Sequence, residues 1–337
     1  MPGDDQPADG VHIGEVGVPD ADLLRELYEL ECRAFPIDRP ALPLPTRTEV
    51  MVDWARPYPG TILASLQARA GGRLAGYARI SLPVMDNTAS GHVEITVHPD
   101  LRRRGIGRRL AVAAAGQVRQ QGRKVAIGTA RSGQPGDAFA AAIGAVAQQE
   151  EVRNILDLDH MDPAAVAALG EQARAQSAAY AVESFTGPTP PDLLPAVATM
   201  LVVMNDAPQE SAAMEDETWT PERVAGVDQW HAARGSRLYS ILARPAGSTE
   251  PAGLTRVAVR PEGDLAFQLE TGVATADRGH LLGSLLKVTM LEWLTSTEPQ
   301  VRRINTFNAA SNAHMLAINE KLGFVPAERW RYFDLAL

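Results

Sequence analysis

The sequence predicts an α/β protein, a mixed sheet covered by helices and built twice along the chain. Three observations carry this. Strands of hairpin type lead into a strand, helix, strand crossover, the order that gives a mixed sheet with helices on its faces. Glu94, Val97 and Gly107 recur as Glu270, Val273 and Gly283, each 176 positions later and each in a strand, loop and amphipathic helix, which marks an internal repeat. The length of 337 residues suits two domains of ordinary size, and 45% hydrophobic residues is ordinary for globular cores.

Residues 1–10 are rich in Pro, Gly and Asp and are expected to be disordered. The first domain is expected over 11–160. A strand at 11–16 precedes a helix at 22–34, which Asp20 caps and whose inner side carries Leu23, Leu24, Leu27, Leu30 and Phe35. Prolines from Pro36 to Pro45 predict an irregular loop. Strands at 61–68 and 74–82 flank Ala70-Gly71-Gly72, a hairpin signal. The alternation at 92–97 reads as the central strand, Pro99 ends its ladder, and Ile106, Leu110, Ala113 and Ala114 set up a helical face. A short strand at 124–129, a helix at 137–143 stopping at Gly144, and a strand at 152–158 close the first copy.

Asp162-Pro163 opens a connecting helix within 161–179, since proline suits a first helical turn. The second domain is expected over 180–337. It holds a rigid loop at 184–191, a helix at 192–204, strands at 237–244, 254–259 and 265–273, a helix at 283–294, a strand at 303–306, a helix at 312–322 and a closing strand at 330–335.

The net charge of −9 argues against nucleic-acid partners, so the five arginines between Arg102 and Arg109 form a local pocket in an acidic protein. Cys32 is the only cysteine. It has no partner for a disulfide or a metal, and is expected to be a small buried hydrophobe in a reducing compartment. No apolar run reaches the length of a membrane span, and the acidic start lacks the cationic residues of a signal peptide. A soluble, cytoplasmic protein is expected, monomer or homodimer.

Chemistry concentrates at 97–110. Two glycines let a ligand approach the backbone, successive N–H groups at a helix start point outward, and arginines add whole charges, so the stretch makes an anion cradle suited to a diphosphate. Arg102-Arg103-Arg104-Gly105-Ile106-Gly107 fits Arg/Gln-x-x-Gly-x-Gly/Ala between a strand and a helix. It resembles the acetyl-coenzyme A loop of the GNAT acyltransferase superfamily. The Rossmann and P-loop patterns are absent. The phrases Asn205-Asp206-Ala207-Pro208 and Asn308-Ala309-Ala310-Ser311-Asn312, with Met315, Asn319 and Leu322-Gly323-Phe324, resemble tandem GNAT proteins of actinomycete type, so the resemblance covers nearly the whole chain.

The resemblance implies two tandem GNAT domains and acetyl-coenzyme A as co-substrate. It places the thioester carbonyl on the N–H of Val97, with His98 beyond, and the diphosphate on the amides of Arg103, Arg104, Gly105, Ile106, Gly107 and Arg108. Arg102 either supports the loop or pairs with phosphate. Glu94 is the candidate base, directly or through water, although a carboxylate of ordinary pKa is a weak base toward an ammonium and needs burial or a relay. The alternative for Glu94 is a structural partner on the sheet face. Glu270 repeats it. The family's usual acid is a tyrosine, and the matching positions hold Asn319 and about Ala140, beside Phe139, which leaves Tyr77, Tyr239 and Tyr332 as unranked substitutes. Trp54 and Tyr58 either shape the acceptor pocket or pack under a loop. His92, His98, His280 and His314 are not spaced as a metal site, no Ser/His/Asp elbow is present, and no metal is expected.

In the second copy Val273, Arg278 and Gly283 keep the pattern, but Leu281 stands where the first has Gly105, so that site is expected to be weak or empty. The expected function is acetyl transfer to the primary amine of a small molecule. A non-catalytic acyl-coenzyme A sensor or scaffold is the alternative that the missing tyrosine keeps open.

Overall fold

The computed structural model describes residues 10–207 and 214–337. The segment expected to be disordered lies outside them except for Gly10, and so does Pro208. The described chain forms two compact units, one of 10–148, 214–215 and 331–337, the other of 149–207 and 216–330.

The first unit contains β1 (Val11–Val16), α1 (Ala21–Asp38), α2 (Arg47–Ala55), β2 (Thr61–Ala70), β3 (Arg73–Pro83), β4 (Ser90–Val97), α3 (Ile106–Gln120), β5 (Val125–Arg131) and α4 (Pro135–Ala142). The strands lie in the order β1-β2-β3-β4-β5, antiparallel until β4 and β5, which run parallel across α3. The period of two along β3 divides its side chains between two layers. Ala78, Ile80 and Leu82 bury against Ile106, Leu110, Ala114 and Val118 of α3, whereas Tyr77 joins Leu27, Leu30, Val50 and Trp54 under α1 and α2. Trp54 is therefore a core residue, edge-on to Tyr77 with ring centroids 4.9 Å apart.

Helix α2 follows the Pro36–Pro45 stretch, in a segment where no element was expected. Its start is a capping box, with the Glu49 N–H donating to Thr46 Oγ1 at 3.2 Å and the Thr46 N–H to Glu49 Oε2 at 2.7 Å. Helix α1 also continues through Pro36 to Asp38, farther than expected. The ring sits in the last turn, where few hydrogen bonds remain to be lost, and the Arg39 N–H closes that turn on Phe35 O at 2.7 Å. Cys32 is half-buried rather than sealed in the core.

The second unit takes most of β6 (Val146–Asp157), then α5 (Pro163–Gln176), β7 (Tyr180–Thr186), α6 (Leu194–Val202), α7 (Pro221–Ala233), β8 (Arg237–Pro245), β9 (Gly253–Val259), β10 (Leu265–Val273), α8 (Leu282–Thr297), β11 (Arg303–Ala309), α9 (Ala313–Lys321) and the start of β12 (Val325–Ala336). Its strands run β7-β8-β9-β10-β11-β6, and β10 and β11 are parallel across α8. Leu282, Leu286, Val288 and Leu294 of α8 bury with Val166, Leu169 and Ala173 of α5, while α6 and α7 cover Leu242 and Leu254 on the opposite face.

The expected boundaries at 160 and 180 are corrected by the closing strands. Residues 151–157 pair antiparallel with β11, from Glu151↔Ala309 to Asp157↔Arg303, and so belong to the second unit. Residues 331–337 complete the first: the Leu337 N–H donates to Lys124 O at 2.9 Å, Leu337 packs on the α3 core, and Arg331 meets Asp137 at 3.1 Å. A strand pairs with whichever edge its apolar face fits, so position along the chain does not assign it to a sheet. No helix among the described residues is long and apolar enough to cross a membrane.

Candidate active site

Strands β4 and β5 part early. Their register runs from Ser90↔Val125 to His92↔Ile127, so 93–97 continue beyond the reach of β5, on the edge that faced it. The second unit repeats this, with β10 and β11 in register only over Leu265–Phe267 and Arg303–Asn305. In each unit the end of the central strand thus runs past its parallel neighbour's register, an edge that a strand-like ligand could pair with.

At the end of β4 a 3₁₀ turn, Pro99–Leu101, leads to α3. Arg103 and Gly105 adopt left-handed backbone, φ 63° and 80°, which turns the intervening amides toward one side. The Arg102 Nε–H donates to Val97 O at 3.1 Å and its guanidinium pairs with Asp38 at 2.7 Å, so this arginine fastens the loop to its own strand and to the end of α1. Arg103, Arg104 and Arg108 are exposed around the loop. A Cβ at Gly105 would meet nothing within 4 Å, and one at Gly107 would meet the Phe139 ring at 3.4 Å and Val97 Cγ2 at 3.7 Å. The structure therefore gathers Val97, Arg102, Gly105, Ile106 and Gly107 in one loop and helix start.

The second loop copies this backbone with its glycine moved. Gly279 and Leu281 hold the two left-handed positions, φ 91° and 55°, the Arg278 Nε–H donates to Val273 O at 3.2 Å, and Arg278 pairs with Asp206. Gly283 lies by Ile318 and Val273 as Gly107 lies by Phe139 and Val97. Leu281 itself packs against the core of the unit. The loop is further tied down by the Ser177 hydroxyl, which donates to His280 O at 2.6 Å, and by the Tyr180 hydroxyl, which donates to Asp277 at 2.9 Å.

On the α1 and α2 face, Glu94 lies across from Arg79, and Tyr77 across from Thr96. Arg79 donates to Glu94 Oε2 at 2.7 Å and Arg39 to Oε1 at 3.1 Å, while Asp53 of α2 lies 3.8 Å from Arg79. Burial pushes the Glu94 carboxyl up, but Arg79 and Arg39 outweigh it and hold the group below its ordinary pKa. The burial that the sequence reading asked of a base is thus overridden by charge. Beside this cluster the Tyr77 hydroxyl donates to Glu31 of α1. Burial first, then the charge of Glu94, pushes the Glu31 carboxyl above its usual range, against the pull of Tyr77, Arg39 and Arg79. The sequence reading missed Glu31, Arg39, Asp53 and Arg79; only the Thr46–Glu49 box hinted at the helix that carries Asp53.

Residues 24–145 match the model of the acetyltransferase (GNAT) family. A tandem GNAT protein from the clavulanic acid biosynthesis pathway, in its structure without AcCoA, shares 26% identity and a TM-score of 0.78 over 97% of this chain and 98% of that one. Residues 24–145 thus carry a GNAT domain, and the chain as a whole has the fold of a tandem GNAT protein. A GCN5-related N-acetyltransferase from Sphaerobacter thermophilus (16% identity, TM-score 0.63, 97% and 96% of the two chains) and one from Kribbella flavida (14%, 0.54, 97% and 72%) share the fold. No curated protein matches in sequence.

Within this GNAT frame the tandem units repeat more than their loops. Gly76 is opposite Val97 and Gly253 opposite Val273, so Arg79 corresponds to Arg256 and Tyr77 to Leu254. Thr46 and Thr220 cap α2 and α7, and Asp228 of α7 pairs with Arg256 as Asp53 approaches Arg79. Glu270, in the place of Glu94, does not join the second pair: its Oε2 is buried without a hydrogen bond, as are Nε and Nη1 of Arg256.

Asn319 is buried and accepts from Lys287 Nζ at 2.8 Å while donating to Asn308 at 2.7 Å. Lys287 borders a small cavity with Gln268, Met290 and Phe324, and burial lowers its pKa from 10.5 to about 7. The unfolded chain then holds a proton that the folded chain has released, so between pH 7 and 10 stability rises with pH, by at most about 1.4 kcal/mol per unit. Urea unfolding at pH 7 and 10 should show this gain in the native chain and not in Lys287→Met; equal pH dependence would refute it. Among the substitutes for the acid, Tyr239 donates to Glu298 at 2.6 Å, away from this group.

Proposed function

We propose that the chain transfers an acetyl group from acetyl-coenzyme A to a primary amine of a small-molecule acceptor, and that the first unit performs the transfer. The observation that carries this is the coincidence, in the first unit, of the open β4 edge with a cradle that has both bare backbone at Gly105 and exposed arginines. The residues fit a diphosphate: amides at a helix start accept negative charge, and the space a Cβ would take at Gly105 is free. When bound, acetyl-coenzyme A supplies a thioester carbonyl carbon for attack and a thiolate as leaving group.

In this reading the amides of Arg103 to Arg108 hold the diphosphate, and Arg102, through Val97 O and Asp38, keeps the loop in shape. The Val97 N–H, beyond the reach of β5, polarises the thioester carbonyl. Arg39, Arg79 and Glu94 form the charged floor of the acceptor side. The second cradle, with Val273, Arg278 and Gly283, is a weak site at most, because Leu281 replaces bare backbone and Ser177 and Tyr180 tie the loop down.

Thiol release from acetyl-coenzyme A with a panel of primary amines tests the reading. Amine-dependent release is expected. Tight coenzyme binding without release from any amine would favour the sensor or scaffold, which the absence of tyrosine at Asn319 and Ala140 also suits.

A further inference from the structure

The geometry points to Glu31, held by Tyr77, as the group that takes the proton from the acceptor's ammonium, and to Glu94 as a fixed charge beside it; this rests on the acetyl-transfer reading above. The first argument is occupancy. Each oxygen of Glu94 accepts from an arginine, and two adjacent cations favour its charged form, so both oxygens are engaged and its proton affinity is low. Glu31 is half-buried and its single described partner is the Tyr77 hydroxyl, which leaves a carboxylate oxygen for a ligand.

The second argument compares the units. Features present in both are accounted for by the shared fold: Arg79 with Asp53 and Arg256 with Asp228, Glu94 and Glu270, Arg102 and Arg278. The Glu31–Tyr77 pair is different. Leu254 replaces Tyr77, and α6, which covers the second sheet as α1 covers the first, reads LPAVATMLV with no ionisable side chain. The pair thus occurs only in the unit with the basic glycine loop.

The third argument is position. Tyr77 is opposite Thr96, the neighbour of Val97, and shares the α1 face with Glu94, so Glu31, at the Tyr77 hydroxyl and within the field of Glu94, lies on the face that β4 turns to α1. In this assignment the amine approaches the carbonyl held at Val97 across the α1 face, past Glu31. The ammonium gives one proton to Glu31; the freed lone pair forms the C–N bond at the thioester carbon. As the intermediate collapses the C–S bond breaks, the nitrogen's second proton passes to the leaving thiolate, and Glu31 returns its proton to solvent. The groups that set its affinity are Tyr77 and Arg79 on β3, Glu94 on β4, Arg39 after α1, and Asp53 of α2 through Arg79.

The pH profile of kcat/KM for the amine decides the assignment. Glu31→Gln keeps an acceptor for Tyr77, so acetyl-coenzyme A binding should persist while kcat/KM falls about 100-fold and the acid limb disappears. Tyr77→Phe removes a bond to the ionised form and should move that limb to higher pH. Glu94→Gln removes a repelling charge and frees two arginines, so it should move the limb to lower pH. A Glu31→Gln enzyme with the native rate and limb, or a limb abolished by Glu94→Gln alone, overturns the assignment. A native chain with no amine-dependent thiol release overturns the acetyl-transfer reading and the base with it.

Discussion

Gly105→Leu should abolish tight coenzyme A binding while leaving the fold standing. The second unit supplies the control for this, because Leu281 occupies the equivalent left-handed position at φ 55° in an otherwise matching loop. A leucine there costs about 1–2 kcal/mol of backbone strain, which a domain of ordinary stability survives. In the first unit a Cβ at 105 points into space clear of protein to 4 Å, so the side chain stands where the ligand's diphosphate would approach the amides. An affinity loss of about 100-fold or more is expected, equivalent to about 2.7 kcal/mol. Calorimetry should find close to one tight site per chain, lost in Gly105→Leu and kept in Arg278→Ala. Unchanged affinity in Gly105→Leu would move the site to the second unit, and two equal tight sites would contradict the comparison of the loops.

What the sequence disclosed was local. The β4 strand, its basic loop and α3 lie within thirty or so residues, and each step carries its own signal: alternation, proline, glycine, then helical spacing. The repeat disclosed the second loop the same way, yet its glycine had moved from the place of Gly105 to the place of Arg103, so a position-by-position comparison saw a lost glycine where the backbone kept its form. Helices α2 and α7 carry start signals in Thr46-x-x-Glu49 and Thr220-Pro221, but the prolines and polar residues around them have the composition of loop. The closing strands and the charged cluster were beyond reach for a different reason. Tyr77 and Glu31 are 46 residues apart and Glu94 and Arg39 are 55 apart, and nothing in either neighbourhood names the other; only the fold does.

Asp228→Ala should be among the most damaging single changes in the chain, for reasons that the buried pair makes explicit. Arg256 is 1% exposed, and its Nε and Nη1 already lack partners, so Asp228 provides the described compensation for a full positive charge. The same carboxylate accepts the Thr189 N–H at 2.7 Å, so its loss orphans a backbone donor as well. His231 offers no relief: burial first, then the charge of Arg256, lowers its pKa to about 4 against the pull of Asp228, and removing Asp228 deepens that shift. Breaking such a pair costs about 3–5 kcal/mol, a large share of the stability of an ordinary domain. Removing both charges is a different perturbation. Asp228→Leu with Arg256→Met leaves no buried charge, and apart from about 1–3 kcal/mol for the Thr189 N–H the pair should be nearly neutral. Urea unfolding at neutral pH should therefore place the double variant well above Asp228→Ala. A single variant within about 1 kcal/mol of the native chain, or a double variant as unstable as the single, would mean that the Arg256 charge is solvated by other means and that the pair is not what anchors α7 to β9.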